Sequence, residues 1–264
     1  MRLMDIKKVF AKYNIDAVGV TGAERYNTLE GTDFSSVIVA LFPYFCGYDK
    51  DANLSIYTHG TDYHIVIKDI LTAAAEELGL IGYAIHSDIG PEIERYLAVS
   101  AGLCFVGRNG MCINEKYGSY FFIGYVACRE NLGNSHFEPT GCQNCMACVR
   151  ACPGGALDNG FCEEKCLSAI TQKKQPLTDG EKVLIKENGT VFGCDICQRV
   201  CPHNKNAQTT PIAQFADGRI KSLSLADIEH LSNREFKEKY RDRAFAWRGK
   251  KVLERNLKII EDKD

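Results

Sequence analysis

The chain has 264 residues, a formal net charge of −2 and 13 cysteines. That length suits one large or two modest domains, and the near-neutral balance argues against nucleic-acid binding by bulk electrostatics. No apolar run reaches bilayer-spanning length. The first residues carry an early acid and no continuous apolar stretch, so they do not read as an export signal and a cytoplasmic protein is expected.

Residues 5–14 read as a short amphipathic helix, with Ile6, Val9 and Phe10 on one face. Residues 35–42 form an apolar, β-branched run closed by Pro43, the pattern of a buried strand. From Tyr63 to Leu78, Ile67, Ile70, Leu71 and Ala74 recur at helical spacing, and Gly79 is a natural stop. Gly82 to His86 suits a short strand, and Pro91 suits the first turn of a helix running to about Ala101. Residues 111–113 and 119–128 read as two strands joined by the turn 115–118. Asn131 to Gly141 is polar, contains Pro139 and reads as a linker.

The next stretch carries the strongest signal. Cys142, Cys145, Cys148 and Cys152 form C-x2-C-x2-C-x3-C followed by Pro153, and Cys194, Cys197 and Cys201 form C-x2-C-x3-C followed by Pro202. Disulfides suit small exported domains, and zinc ribbons use paired C-x2-C units. A third Cys at x2 and a fourth at x3 before Pro is the spacing of a protein holding two 4Fe-4S clusters, in which the last Cys of one run ligates the other cluster. Each run is expected to be a tight loop opening into a short helix, with backbone N–H groups aimed at cluster sulfurs. Beyond it, residues from Ser224 and from Arg248 to Ile260 read as helices.

The predicted architecture is α+β: a mixed α/β cofactor domain over 1–135, a bacterial-ferredoxin-like two-cluster module over 136–210, and a helical C-terminal segment over 211–264 packed on the core. A ferredoxin needs only the module, so the large preceding domain suggests a catalytic centre fed by the clusters. No G-x-G-x-x-G follows a predicted strand. Gly107-Arg108-Asn109-Gly110 suits an anion loop or, more simply, a turn.

The motif set resembles the epoxyqueuosine reductases, cobalamin-dependent iron–sulfur enzymes that finish queuosine on tRNA. The resemblance rests on Gly60-Thr61-Asp62-Tyr63-His64, on Asp88-Ile89-Gly90 through Arg95, and on Ala101-Gly102 through Asn109 with Tyr117-Gly118-Ser119-Tyr120. It continues in Gly193 through Asn204, Ser232 through Phe236, and Trp247-Arg248-Gly249-Lys250-Lys251. Departures are Arg108 where the family often has Lys, Cys104 and Cys112 where it has small or aliphatic residues, and an end at Asp264 where it commonly continues into a helical-repeat domain.

The resemblance implies cobalamin in the first domain, reduced by electrons from the two clusters. It implies one cluster on Cys142, Cys145, Cys148 and Cys201, and a second, nearer the corrin, on Cys152, Cys166, Cys194 and Cys197. Cys162 competes with Cys166, but Cys166-Leu167-Ser168 matches the family's C-I-S. Cys46, Cys104, Cys112, Cys128 and Cys162 are expected to be buried and apolar in role. Cys112, Ile123, Ser55 and Ser168 are implied to contact the cofactor. Asp88 occupies the position of the catalytic acid, which requires a carboxyl raised by burial or by nearby negative charge. As a residue shortly before Pro91 it also suits a helix cap. Asp62 and His64 are secondary candidates that equally suit a helix start.

The resemblance further implies a tRNA substrate, an external low-potential donor of the ferredoxin or flavodoxin type, no membrane partner and a monomer. The C-terminal basic residues Arg241, Arg243, Arg248, Lys250, Lys251, Arg255 and Lys258 suit either a solvated helix face or a phosphate track. A corrin-dependent reductase of a small molecule and a corrin-free electron carrier are the alternatives.

Overall fold

The computed structural model describes residues 2–88, 91–135 and 140–262, with Pro91 and Glu92 by backbone alone. Ile89-Gly90 of the Asp88 motif and Pro139 of the predicted linker lie outside the described residues.

Helix α1 (Leu3–Ala11) is followed by strand β1 (Val18–Gly22), helix α2 (Glu24–Glu30) and strand β2 (Ser36–Pro43). Helix α3 (Tyr63–Glu77), strand β3 (Ala84–Ser87) and helix α4 (Pro91–Ser100) come next. Short strands β4 (Phe105–Val106) and β5 (Cys112–Ile113) precede the long strand β6 (Phe121–Cys128). Strands β1, β2, β6 and β3 lie side by side in that order, every pair antiparallel.

Strand β2 is buried at all eight positions because helices cover both faces of the sheet. Its side chains alternate between two cores. Ile38, Ala40 and Phe42 pack with Ile6, Phe10, Ile67 and Leu71 from α1 and α3. Val37, Val39 and Leu41 pack with Ile93, Leu97 and Ala98 from α4. Each such aliphatic contributes roughly 1.5–3 kcal/mol through burial. At Gly124 of β6 a Cβ would lie 2.5 Å from Ile67, so the helix approaches as closely as it does only over a glycine. Asp62 caps α3 by accepting from the His64 N–H, and Gly79, at φ +68°, ends it.

Two expectations need correction. Residues 111–113 and 119–128 are not partners: β5 pairs with β4, whereas β6 enters the main sheet between β2 and β3. The turn between them closes on itself through an Asn114–Gly118 bridge. Strand β1 and helix α2, unanticipated from sequence, complete the sheet edge. Neither advertises itself, since β1 contains two glycines and α2 buries only Tyr26.

The cysteine runs carry short helices α5 (Ala147–Ala151) and α8 (Ile196–Arg199), with α6 (Leu167–Gln172) and α7 (Asp179–Asn188) between. Beyond them come α9 (Ala213–Ala216), α10 (Leu225–Ile228), α11 (Asn233–Lys239) and α12 (Lys250–Glu261). The single helix expected from Ser224 is two, because Ser232 starts a new capping box with Glu235. Leu54, Val191, Phe192, Phe236, Phe245 and Leu253 form a third core that joins the cysteine module to the C-terminal helices. From α12 the fully buried Asn256 donates to the carbonyls of Thr171 (2.7 Å) and Val191 (2.8 Å).

Candidate active site

None of the 13 cysteines forms a disulfide. Cys142, Cys145, Cys148 and Cys201 line one cavity, together with Arg108, Asn109, Ile113 and His203. Burial raises Cys148 and Cys201, and the neighbouring thiols of the same group push them further. A second group gathers around α8. Burial pushes Cys194 up to about 11 and Cys197 to about 12, with Cys166 and Cys152 acting in the same direction on both. Cys166, not Cys162, stands among these neighbours. Thiols held together this way deprotonate fully only when cationic metal replaces their protons. Among the described residues, no three or more His, Cys, Asp or Glu side chains form a ready-made site for a single metal ion.

Donors accompany the sulfurs. The Ala156 N–H donates to Cys152 Sγ at 3.3 Å. The N–H groups of Ile196 and His203 favour the thiolates of Cys194 and Cys201. Asn109 is 7% exposed, and its Oδ1 accepts from the Met111 N–H at 3.3 Å. Its Nδ2 is buried without a partner, as is His203 Nε2, and both residues stand on the wall of the first thiol cavity. An orphan amide donor on a residue that lines a cavity with four thiols fits a sulfur-rich anion. The Gly107–Gly110 segment is therefore the tight turn between β4 and β5, with Gly107 N–H on Met111 O at 2.8 Å, and it also delivers Asn109.

A cleft of about 200 Å³ opens beside the second group, lined by Tyr57, Tyr63, Asp88, Arg95, Cys112, Phe122 and Ile123 among others. It runs into an outer cleft of about 290 Å³, lined by Asp62, His64, Gln172, Ala244 and Trp247. Tyr57, Tyr63 and Asp88 belong to both. The inner wall backs directly onto the loop carrying Cys194. A Cβ at Gly193 would lie 2.4 Å from Ser55 Cβ and 3.2 Å from the Tyr57 ring. Asp195 fixes that junction, accepting from Ser55 Oγ at 2.5 Å and from the Ile56 N–H at 2.9 Å.

Cys112 and Ile123 line the inner cleft, whereas Ser55 and Ser168 line neither cleft. Ser55 is committed to Asp195, and the Ser168 carbonyl accepts from Gln172 Nε2 at 3.1 Å. Cys104, Cys112 and Cys128 are buried as expected, but Cys46 and Cys162 are only half-buried. The Cys112 thiol beside it, with burial, pushes Cys104 up.

Asp88 adopts a left-handed φ of +60°, and its side chain is about half exposed. Tyr63 donates its hydroxyl to Asp88 Oδ2 at 2.5 Å, and His64 Nε2 lies 3.5 Å from the same oxygen. His64 Nδ1 meets Asp62 Oδ1 at 2.8 Å. Wedged between two carboxylates, His64 is raised to about 9, chiefly through Asp62. Asp88 is lowered, chiefly by His64. This is the opposite of the raised carboxyl expected from sequence, because a cation rather than a negative charge faces it. The proton at this junction resides on His64.

The basic C-terminal residues divide. Arg243 donates to His59 O, Lys250 to Glu229 O and Leu231 O, and Arg255 to Lys173 O and Gln175 O, so these three tie the fold together. Tyr57, Asn109, Gln172 and Asp195 were not singled out from sequence. The family-like runs around Asn109 and Asp195 were the available signals.

Residues 141–204 match a 4Fe-4S double cluster binding domain. The epoxyqueuosine reductase of Lactococcus garvieae is 34% identical over 206 residues, which are 75% of this chain and 58% of that one. That of Leadbetterella byssophila is 32% identical over 236 residues, covering 86% and 77%. The chain spans just over half the length of the first relatives it matches. The structure of the Streptococcus thermophilus epoxyqueuosine reductase superposes with a TM-score of 0.81 at 26% identity, covering 97% of this chain and 80% of that one. An epoxyqueuosine reductase solved with an epoxyqueuosine-modified tRNA-Tyr stem loop superposes at 0.77 with 25% identity, covering 97% and 80%.

Proposed function

The chain belongs to the epoxyqueuosine reductase family, and on that premise we propose that it reduces epoxyqueuosine in tRNA to queuosine, using two 4Fe-4S clusters and cobalamin. The observation that carries this reading is the wall at Tyr57, which has the Cys194 loop on one side and the Asp88–His64–Tyr63 junction on the other. The two cysteine groups would hold the clusters as Cys142, Cys145, Cys148 and Cys201, and as Cys152, Cys166, Cys194 and Cys197. The lining of the inner cleft, aromatic and aliphatic side chains with Arg95, suits the apolar face and polar rim of a flat cofactor. When bound, the clusters supply single electrons and the cobalamin supplies a low-potential reducing centre facing the substrate.

Opening an epoxide to an alkene releases its oxygen as water and consumes two electrons and two protons. The residues at the junction supply the proton side. His64 holds a proton at neutral pH, Asp88 lies against it as acceptor, and Tyr63 fixes Asp88 Oδ2. Asp88 then acts as a relay between the imidazolium and the departing oxygen, a role its half-exposed position at the seam of both clefts permits. Tyr57 and Phe122 exclude water from the inner wall. The electrons enter from an external ferredoxin- or flavodoxin-type donor, and the enzyme works as a cytoplasmic monomer. Among the described residues no helix is long and apolar enough to cross a membrane.

A small-molecule reductase and a corrin-free carrier are not favoured, because the matched relatives share the epoxyqueuosine reductase name. The deciding experiment is anaerobic reconstitution with iron, sulfide and cobalamin, followed by nucleoside analysis of epoxyqueuosine-containing tRNA. Conversion to queuosine, lost in Asp88→Ala, is expected. Reconstituted protein that binds cobalamin but leaves the nucleoside unchanged overturns the proposal.

A further inference from the structure

Trp247 is the only tryptophan in the chain, and it is 60% exposed at the mouth of the outer cleft. An exposed indole is normally free to move, yet this one is held at several points. Its Nε1 donates to Gln172 Oε1 at 3.2 Å. Gln172 is itself anchored through Nε2 on the Ser168 carbonyl. The Arg248 guanidinium lies over the ring, 3.6 Å from its centroid. That cation occupies one of the two faces and leaves the rest of the ring to solvent.

Arg248 is unusual in its own right. Its Nε is buried and has no hydrogen-bond partner. An incoming acceptor would therefore meet the outer N–H groups of the guanidinium rather than Nε, and phosphate suits that planar fork. The indole and the guanidinium therefore present a flat apolar face and an anion donor side by side, a few residues from the cavity that holds Asp88 and His64. A nucleotide offers the two complementary features, a base with a π-face and a phosphate. A fixed ring also loses little entropy when it stacks.

We propose that Trp247 and Arg248 form a stacking platform for an unpaired nucleobase of the RNA loop, next to the nucleoside that enters the Asp88 cleft, with Arg248 taking the adjoining phosphate. This rests on the proposed tRNA reading and adds the residues that hold the loop in register.

The single tryptophan makes the test direct. The anaerobically reconstituted protein is titrated with an epoxyqueuosine-bearing tRNA-Tyr stem loop, while indole emission and electrophoretic mobility are followed together. Binding is expected to shift or quench the emission at the same midpoint as the mobility change. Trp247→Leu is expected to weaken binding between about fivefold and a hundredfold, and Trp247→Phe much less, because stacking is worth a comparable factor per base. Arg248→Ala is expected to lower the slope of log affinity against log salt by about one. Circular dichroism and iron content check that each variant is folded. Saturable binding with unchanged emission, or a folded Trp247→Leu protein with wild-type affinity, overturns the platform while leaving the tRNA reading intact. Failure of the wild-type protein to bind or convert the loop overturns both.

Discussion

His64 Nε2 stands 3.5 Å from Asp88 Oδ2 while His64 Nδ1 stands 2.8 Å from Asp62 Oδ1, so one imidazole bridges two carboxylates at the seam of the clefts. The ring's value rises from the ordinary 6.5 to about 9. Its charged pairing is therefore complete below pH 6.5 and is lost as pH rises through about 9. The lowered Asp88 behaves inversely, contributing above its ordinary 3.8 and losing its pairing as pH falls through its depressed value. Turnover is accordingly expected to be flat near neutrality and to decline above about pH 9. In His64→Asn that alkaline limb should vanish, with kcat lower by about a hundredfold. A pH–rate profile that keeps the limb in the variant removes His64 from the proton path.

Asp195 is 5% exposed and accepts from Ser55 and the Ile56 N–H, so it joins the cleft wall to the second cysteine run. Asp195→Ala leaves both donors buried and unsatisfied. A loss of about 3 kcal/mol is expected in anaerobic denaturant unfolding of the cluster-loaded protein. An unchanged midpoint would show that the junction is held by packing instead.

The orphan amide of Asn109 faces the first thiol group. A donor to cluster sulfur favours the more negative, reduced form, so Asn109→Leu is expected to lower the potential of that cluster alone. The expected size is some tens of millivolts, since 1.4 kcal/mol corresponds to about 59 mV for one electron. A redox titration followed by electron paramagnetic resonance resolves the two centres and reads the shift.

Cys166 and Cys162 separate by the same logic. Cys166 presses electrostatically on Cys194 and Cys197. Cys166→Ala should forfeit one of the two clusters by iron analysis, whereas Cys162→Ala should retain both.

Local signals made much of this legible. The β-branched run ending at Pro43, the helical spacing from Tyr63 and the cysteine intervals each encode their element within a few residues. What escaped was decided by distant partners. Strand β6 looks like one arm of a hairpin until β2 and β3 claim both its edges. The direction of the Asp88 shift depends on which groups α3 carries alongside it, and sequence spacing between 64 and 88 gives no hint of contact. Ser55 Oγ donates to Asp195, a partner 140 residues away that no local signal announces. Likewise Arg243, Lys250 and Arg255 look like free cations in sequence, and the fold spends them on backbone carbonyls.

Cys148 in the first turn of α5 and Cys152 just past its end belong to different thiol groups, and so do Cys197 within α8 and Cys201 beyond it. With the proposed ligand sets filled, each short helix would be stitched to a different inorganic core at each end. Oxidative damage to one core would slacken the helices that frame the other, so iron should leave this protein cooperatively, in a single step rather than two.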